Sequence, residues 1–210
     1  MLFEWSDDIA MPSQGRSNEW YTPARYVDAA RKVMGGIDLD PASCDIANKV
    51  VKATKYYTQE ENGLMQPWYG RVWLNPPYGL LDAPDYGKRF HGGGATPEEK
   101  SLQTMFIGRT LQEYKVGNVE QVMLLVTANT TVRWFQSLWD YPMCTPFPKI
   151  GFIIPGSSQR QRQVFGNVFV YFGPNESAFL EHFSEFGRIT KAIDTPKSKP
   201  TMRSLWEVGE

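Results

Sequence analysis

The sequence predicts an α/β sandwich on a mostly parallel sheet with an antiparallel edge. Three observations lead there. Helical and extended patterns alternate through the first two thirds of the 210-residue chain. Gln121 to Thr127 (QVMLLVT) is an unbroken apolar run, as in a strand buried on both faces. Two further apolar segments, Ile150–Ile154 and Val168–Phe172, flank a polar loop and read as a hairpin that closes the sheet.

In chain order, residues 1–19 carry no clear period and read as an irregular arm. Thr22-Pro23 supplies an N-cap and a first-turn proline for a helix with Tyr26, Val27, Ala30, Val33 and Met34 on one face. Gly35-Gly36 stops it. Ile37 to Asp40 is a short strand cut by Pro41, and Ser43 caps a second helix with Ile46, Ala47, Val50 and Val51 inward. Lys55 to Thr58 is extended, and Glu60 to Gly63 turns. Arg71 to Asn75 is a strand stopped by two prolines. Residues 79–95 are rich in Gly, Pro and Asp and form a loop of functional length. Thr96-Pro97-Glu98-Glu99 opens a helix, Thr130 or Thr131 another through Trp134, Phe135, Leu138 and Trp139, and Asn175 to Phe186 the last. Residues 20–190 thus form one domain, and 191–210 a tail.

Composition excludes several classes. With 41% hydrophobic and 21% charged residues the chain folds as a globular protein. A formal net charge of -1 excludes a generally polycationic coat for nucleic acid, though not a local basic face. The two cysteines, Cys44 and Cys144, and two histidines, His91 and His182, show no CxxC or metal-ligand spacing, so no metal is expected. Both cysteines read as small buried hydrophobes. The start, MLFEWSDDIAM, lacks the basic flank and apolar run of a signal peptide, and no stretch reaches the ~20 apolar residues of a membrane span. A soluble, cytoplasmic protein is expected.

Ligands of such sheets sit beyond the carboxyl ends of the strands. There the chain places Asn75-Pro76-Pro77-Tyr78, a tetrapeptide expected by chance in about one chain per thousand of this length. An amino group conjugated to an aromatic ring or carbonyl is a poor nucleophile, because its lone pair is delocalised. Two acceptors aimed at its N–H bonds favour the pyramidal nitrogen that develops during attack. The Asn75 side-chain oxygen and the Pro76 carbonyl can be those acceptors, with the prolines holding the segment stiff. Tyr78 offers a flat face to a planar base. The bland alternative is a Pro-Pro stop followed by a loop aromatic. Asp40-Pro41-Ala42-Ser43 puts an acid at another strand end, before a helix N-terminus suited to an anion. Glu60 or Glu61 follows at the distance of a ribose-binding acid. Asp40 is equally readable as a helix-start acid, and the two glutamates as a solvated turn.

Together, WYTP (Trp20-Tyr21-Thr22-Pro23), IDLDPAS, ENGL and VWLNPPYG resemble the phage-type DNA N6-adenine methyltransferases of the Dam-like family. The resemblance spans Trp20 to Gly79 and continues more loosely to Phe172. It implies a Rossmann-like class I methyltransferase fold, with catalytic roles for Asn75, Pro76, Pro77 and Tyr78. S-adenosylmethionine is the implied cofactor. The resemblance places it against Trp20, Tyr21, Thr22 and Pro23, against Asp38, Asp40, Pro41, Ala42 and Ser43, and near Asn62. Where many amino-methyltransferases follow DPxx with a glycine pair, this chain has Ser43-Cys44-Asp45.

The implied reaction is direct in-line methyl transfer to a flipped-out adenine of double-stranded DNA, with no obligate protein partner. Neither cysteine lies in or beside Asn75-Pro76-Pro77-Tyr78, whereas cytosine C5 transfer needs a thiolate. RNA adenine and a glutamine amide are alternative acceptors, and a non-catalytic nucleic-acid-binding module is a third reading. DNA is favoured by the resemblance and by a charge bias. From Tyr141 to Asn175 the only charged residues are Lys149, Arg160 and Arg162. These cations, with Lys88 and Arg89 of the 79–95 loop, are the candidate DNA contacts.

Overall fold

The computed structural model describes residues 20–77, 101–153 and 166–192, and residues 160–161 as backbone. The 1–19 arm, the 79–95 loop, the Thr96-Pro97 helix start and residues 193–210 of the tail lie outside the described residues.

Among the described residues, five helices and nine strands follow in order. They are α1 (Ala24–Met34), β1 (Leu39–Asp40), α2 (Asp45–Val51), β2 (Lys55–Tyr56), β3 (Gly70–Leu74), α3 (Leu102–Val116) and β4 (Val119–Thr127). Then come α4 (Arg133–Gln136), β5 (Met143–Pro146), β6 (Phe152–Ile153), β7 (Arg160–Gln161), β8 (Asn167–Phe172), α5 (Glu176–Phe183) and β9 (Gly187–Thr190).

Seven strands form one sheet in the order β2-β1-β3-β4-β8-β5-β9. The pairs from β2 to β4 are parallel and those from β4 to β9 antiparallel. Alternation along the central strands divides the core. Val72, Leu74, Val122, Leu124, Val126, Val168 and Val170 face one way, packing with Phe106 and Ile107 of α3 and Phe135 of α4. Trp73, Met123, Leu125, Phe169 and Tyr171 face the other way, onto Tyr26, Val27 and Ala30 of α1 and Phe179 and Phe183 of α5. This is the expected α/β sandwich. Burial on both faces explains the unbroken apolar run of β4.

The antiparallel half is assembled differently from the expected hairpin. Ile150–Ile154 does not pair with Val168–Phe172. Instead β6 pairs with β7 in a separate ribbon, and β8 lies between β4 and β5. β5 and β9 had no strand signal: β5 is four residues closed by Pro146, and β9 directly follows a helix.

Helix starts also shift. Pro23, not Thr22, is the N-cap of α1, and no side chain caps it. Cys44, not Ser43, caps α2, its Sγ accepting from the Ala47 N–H at 3.5 Å. On α2 only Val51 is fully buried; Ile46, Ala47 and Val50 are half-buried on this short peripheral helix. The helix expected through Trp139 is a single turn at Arg133–Gln136. Gly35 closes α1 in the left-handed conformation as expected, with φ 77°.

Candidate active site

Strand register assembles one edge. Leu39 pairs with Val72 and Leu74 with Leu124, so the exits of β1, β3 and β4 lie side by side. Asn75 follows β3 and by register lies between the Pro41-Ala42 exit of β1 and the last residues of β4.

The Asn75 amide is anchored from behind. Its Nδ2 donates to the Trp20 carbonyl at 2.9 Å and to Thr22 Oγ1 at 3.4 Å. The Trp20 carbonyl can only accept, which settles which end of the amide is nitrogen, so Oδ1 is the end turned away from the Trp20-Thr22 segment. The Trp20-Thr22 segment is itself fixed. Tyr21 and Ile153 exchange backbone hydrogen bonds of 3.0 Å each way, and the Trp20 ring meets Phe152 edge-on at 5.5 Å. Thr22, Pro23, Pro76 and Pro77 are buried, and Asn75 is half-buried. Trp20 and Thr22, expected against the cofactor, are linked in the structure to Asn75.

The β1 exit forms a second, buried polar group. Asp40 is 2% exposed, and its Oδ1 accepts from the Ala42 N–H at 3.1 Å. Burial pushes its carboxyl up to about 7, opposed first by that N–H. The Ser43 hydroxyl lies beside it, near enough to oppose the shift yet outside hydrogen-bonding geometry, and Ser43 Oγ is buried without a partner. The Ser43 N–H donates to the Tyr57 carbonyl at 2.9 Å, tying this exit to β2. Cys44 Sγ lies 3.3 Å from the Tyr21 hydroxyl, linking the two segments.

The turn at 58–66 closes over the β1 exit. Asn62 takes a left-handed conformation, φ 54°. A Cβ on Gly63 would fall far inside van der Waals contact with the Pro41 carbonyl oxygen, so only glycine allows this approach. Glu61 accepts from Lys55 Nζ at 2.9 Å and from the Thr58 N–H, and these bonds hold its carboxyl below the usual range.

Asp38 is not brought to this group. Both its oxygens are held by Arg71, whose Nε and NH2 each donate at 2.8 Å, with the Arg71 backbone N–H adding a third bond. The guanidinium keeps the Asp38 carboxyl below its ordinary value. Asp38 precedes β1 and its partner lies near the start of β3, so this pair fastens the opposite end of the strands.

One feature at the β4 exit carried no sequence signal. Thr127 Oγ1 donates to Gln103 Oε1 at 2.8 Å, and the buried Gln103 Nε2 has no partner. Cys144 is buried, donates to the Phe183 carbonyl at 3.3 Å, and has its thiol pushed up to about 12 by burial. Among the candidate DNA contacts, Lys149 is exposed beyond β5 and Arg160 belongs to the β7 backbone. Tyr78, Lys88, Arg89 and Arg162 lie outside the described residues. Among the described residues no His/Cys/Asp/Glu group could hold a metal ion, and no helix is long and apolar enough to cross a membrane.

These residues fit S-adenosylmethionine. Its methionyl end is a zwitterion, which suits a buried carboxylate beside an unpartnered hydroxyl, and Gly63 brings the 58–66 turn against the same exit. No curated protein and no solved structure matches the chain. The family model described as DNA N-6-adenine-methyltransferase (Dam) matches residues 11–172, a span that contains every part of this site, and the chain belongs to that family.

Proposed function

We propose that this chain methylates the N6 amino group of adenine at specific sites in double-stranded DNA. The methyl group comes from S-adenosylmethionine by direct in-line transfer to a flipped-out base, with S-adenosylhomocysteine as the leaving group and one N6 proton released to solvent. Family membership makes DNA adenine the acceptor class and S-adenosylmethionine the methyl donor. The observation that carries the finer reading is the anchored Asn75 amide, with Nδ2 engaged by Trp20 and Thr22 and Oδ1 at the opposite end.

When bound, S-adenosylmethionine supplies an electrophilic methyl group on a sulfonium. Asp40 and Ser43 would hold its methionyl end, and Asn62 would lie toward its adenine. Asn75 Oδ1 accepts one N6–H of the target, and the Pro76 carbonyl accepts the other. These bonds withdraw the nitrogen lone pair from ring conjugation and stabilise the positive charge that develops on nitrogen. Tyr78 stacks on the base and offsets part of the cost of extruding it, which is a few kcal/mol. The enzyme works in the cytoplasm, without an obligate protein partner.

The test is transfer of tritiated methyl from labelled S-adenosylmethionine to unmethylated DNA, RNA and protein side by side. The expected product is N6-methyladenine in duplex DNA, and sequencing of that DNA then reads the site. Label confined to RNA or to glutamine amides overturns the DNA reading. Cofactor binding without transfer identifies a non-catalytic module.

A further inference from the structure

The most exposed large apolar residue among those described is Phe147, at 87%. Its place is set by register. β5 is antiparallel to β8, which is antiparallel to β4, so β5 exits on the same edge as β3 and β4. Thr127 pairs with Asn167 and Cys144 with Phe169, which brings Pro146 level with the end of β4. Phe147 therefore leaves the sheet on the Asn75 edge, three strand spacings or about 14 Å across the sheet and further out along the strand direction.

The tip is raised between two anchors. The Phe147 N–H donates to the Phe186 carbonyl at 2.8 Å, and Ile150 and Phe152 are buried just beyond. Phe147, Pro148 and Lys149 between these anchors are all exposed. The second anchor leads back to the catalytic motif. β6 bonds to Tyr21 through Ile153, and the Trp20 carbonyl receives Asn75 Nδ2. The position of the tip is thus coupled through main chain to that of the acceptor amide.

We propose that Phe147 is a wedge that enters the base stack of the DNA where the target adenine leaves it, with Lys149 against the adjacent phosphate. This rests on the DNA reading above. A flipped base leaves a gap between its neighbours, and an apolar ring inserted there recovers stacking and resists closure. A tip anchored on both sides and linked to Asn75 sets how far the vacated stack lies from the amino-group acceptor. Seven-eighths exposure of a phenyl ring, near a cation and on the Asn75 edge, serves no packing among the described residues.

The test uses a duplex carrying the fluorescent base 2-aminopurine in place of the target adenine. Wild type, Phe147→Ala and Phe147→Trp are compared. The expected result is a fluorescence rise on binding by wild type and Phe147→Trp. For Phe147→Ala the rise should fall at least five-fold while duplex affinity by anisotropy stays within about ten-fold. Turnover on the ordinary duplex should fall 10- to 100-fold in that variant, with unchanged affinity for S-adenosylmethionine. A wild-type signal in Phe147→Ala overturns the wedge. So does parallel loss of cofactor binding or melting temperature, which would make Phe147 structural, or a halved mass in solution, which would make it a contact between copies. If wild type methylates duplex DNA but shows no extrusion signal, the wedge fails and DNA as acceptor stands. If wild type transfers no methyl to DNA, the underlying reading has failed.

Discussion

Asn75 Nδ2 donates to the backbone oxygen of Trp20 at 2.9 Å, joining two strand-edge segments 55 residues apart. This bond ties the Trp20-Pro23 motif to the residue proposed to act on the acceptor. It orients the amide, and the segment that orients it also touches the β1 exit through the Tyr21–Cys44 contact. Asn75→Asp keeps an acceptor for the substrate but sets an oxygen against the Trp20 carbonyl. Turnover between that of wild type and Asn75→Ala is expected from steady-state kinetics. Thr22→Val should cost only a few-fold, because the shorter bond to Trp20 remains. Full activity in Asn75→Asp would show that the anchor is dispensable.

Gly63 should tolerate no side chain. Its Cβ would overlap the Pro41 carbonyl, backbone against backbone, with no flexible side chain to yield. Overpacking of this kind costs about 1–3 kcal/mol. Gly63→Ala is expected to lower the melting temperature and to weaken S-adenosylmethionine binding by calorimetry, since the turn must retreat from the β1 exit. Wild-type values for both would mean that the close approach is not needed.

Asp40 gives a pH signature with a definite sign. Burial raises its carboxyl from 3.8 to about 7. Between those values the native protein holds a proton that the unfolded chain has released. The stabilisation is full below pH 3.8 and is lost as pH rises through 7, a change of about 4 kcal/mol. Urea unfolding of wild type and Asp40→Asn should therefore diverge across pH 4–7, with wild type losing stability relative to the variant. A difference independent of pH would contradict this. Cofactor affinity of wild type should rise through the same window as the carboxylate forms to meet the methionyl amine, and Asp40→Asn should lack that rise.

The salt dependence of DNA binding tests the basic stretch. Arg160→Ala/Arg162→Ala should weaken binding to every DNA sequence and reduce the salt slope by about two counterions, leaving cofactor affinity unchanged. A wild-type slope would place the phosphate contacts elsewhere.

The strand ends were legible where the pattern is local. Asn75 at a proline-stopped strand end, Asp40 at another and the apolar β4 follow from neighbouring residues alone, whereas the burial of Asp40 appears only in the fold. Long-range pairing was not. Asp38 and Asp40 read alike in sequence, and Arg71, 33 residues beyond Asp38, is what claims one of them for structure. Short β5 carries too little pattern to outcompete the Ile150–Ile154 run, so the sequence reading paired β8 with the wrong neighbour. The capping preference for serine over cysteine pointed to Ser43. In the fold the Ser43 N–H is taken by Tyr57, and the cap passes one residue on to Cys44. Trp20 was legible as a motif member, but its contact with Asn75 is made by a carbonyl that every residue type carries.

The central claim is that the Asn75 side chain acts on the amino group of adenine and not on the cofactor. Single-turnover methyl transfer to duplex DNA by Asn75→Ala, with S-adenosylmethionine affinity measured on the same preparation, tests it most directly. The account predicts a rate lower by about 10²–10³, as for loss of one charge-stabilising hydrogen-bond partner, with cofactor affinity within a few-fold of wild type. A near-normal rate, or a rate loss explained entirely by lost cofactor binding, would contradict it.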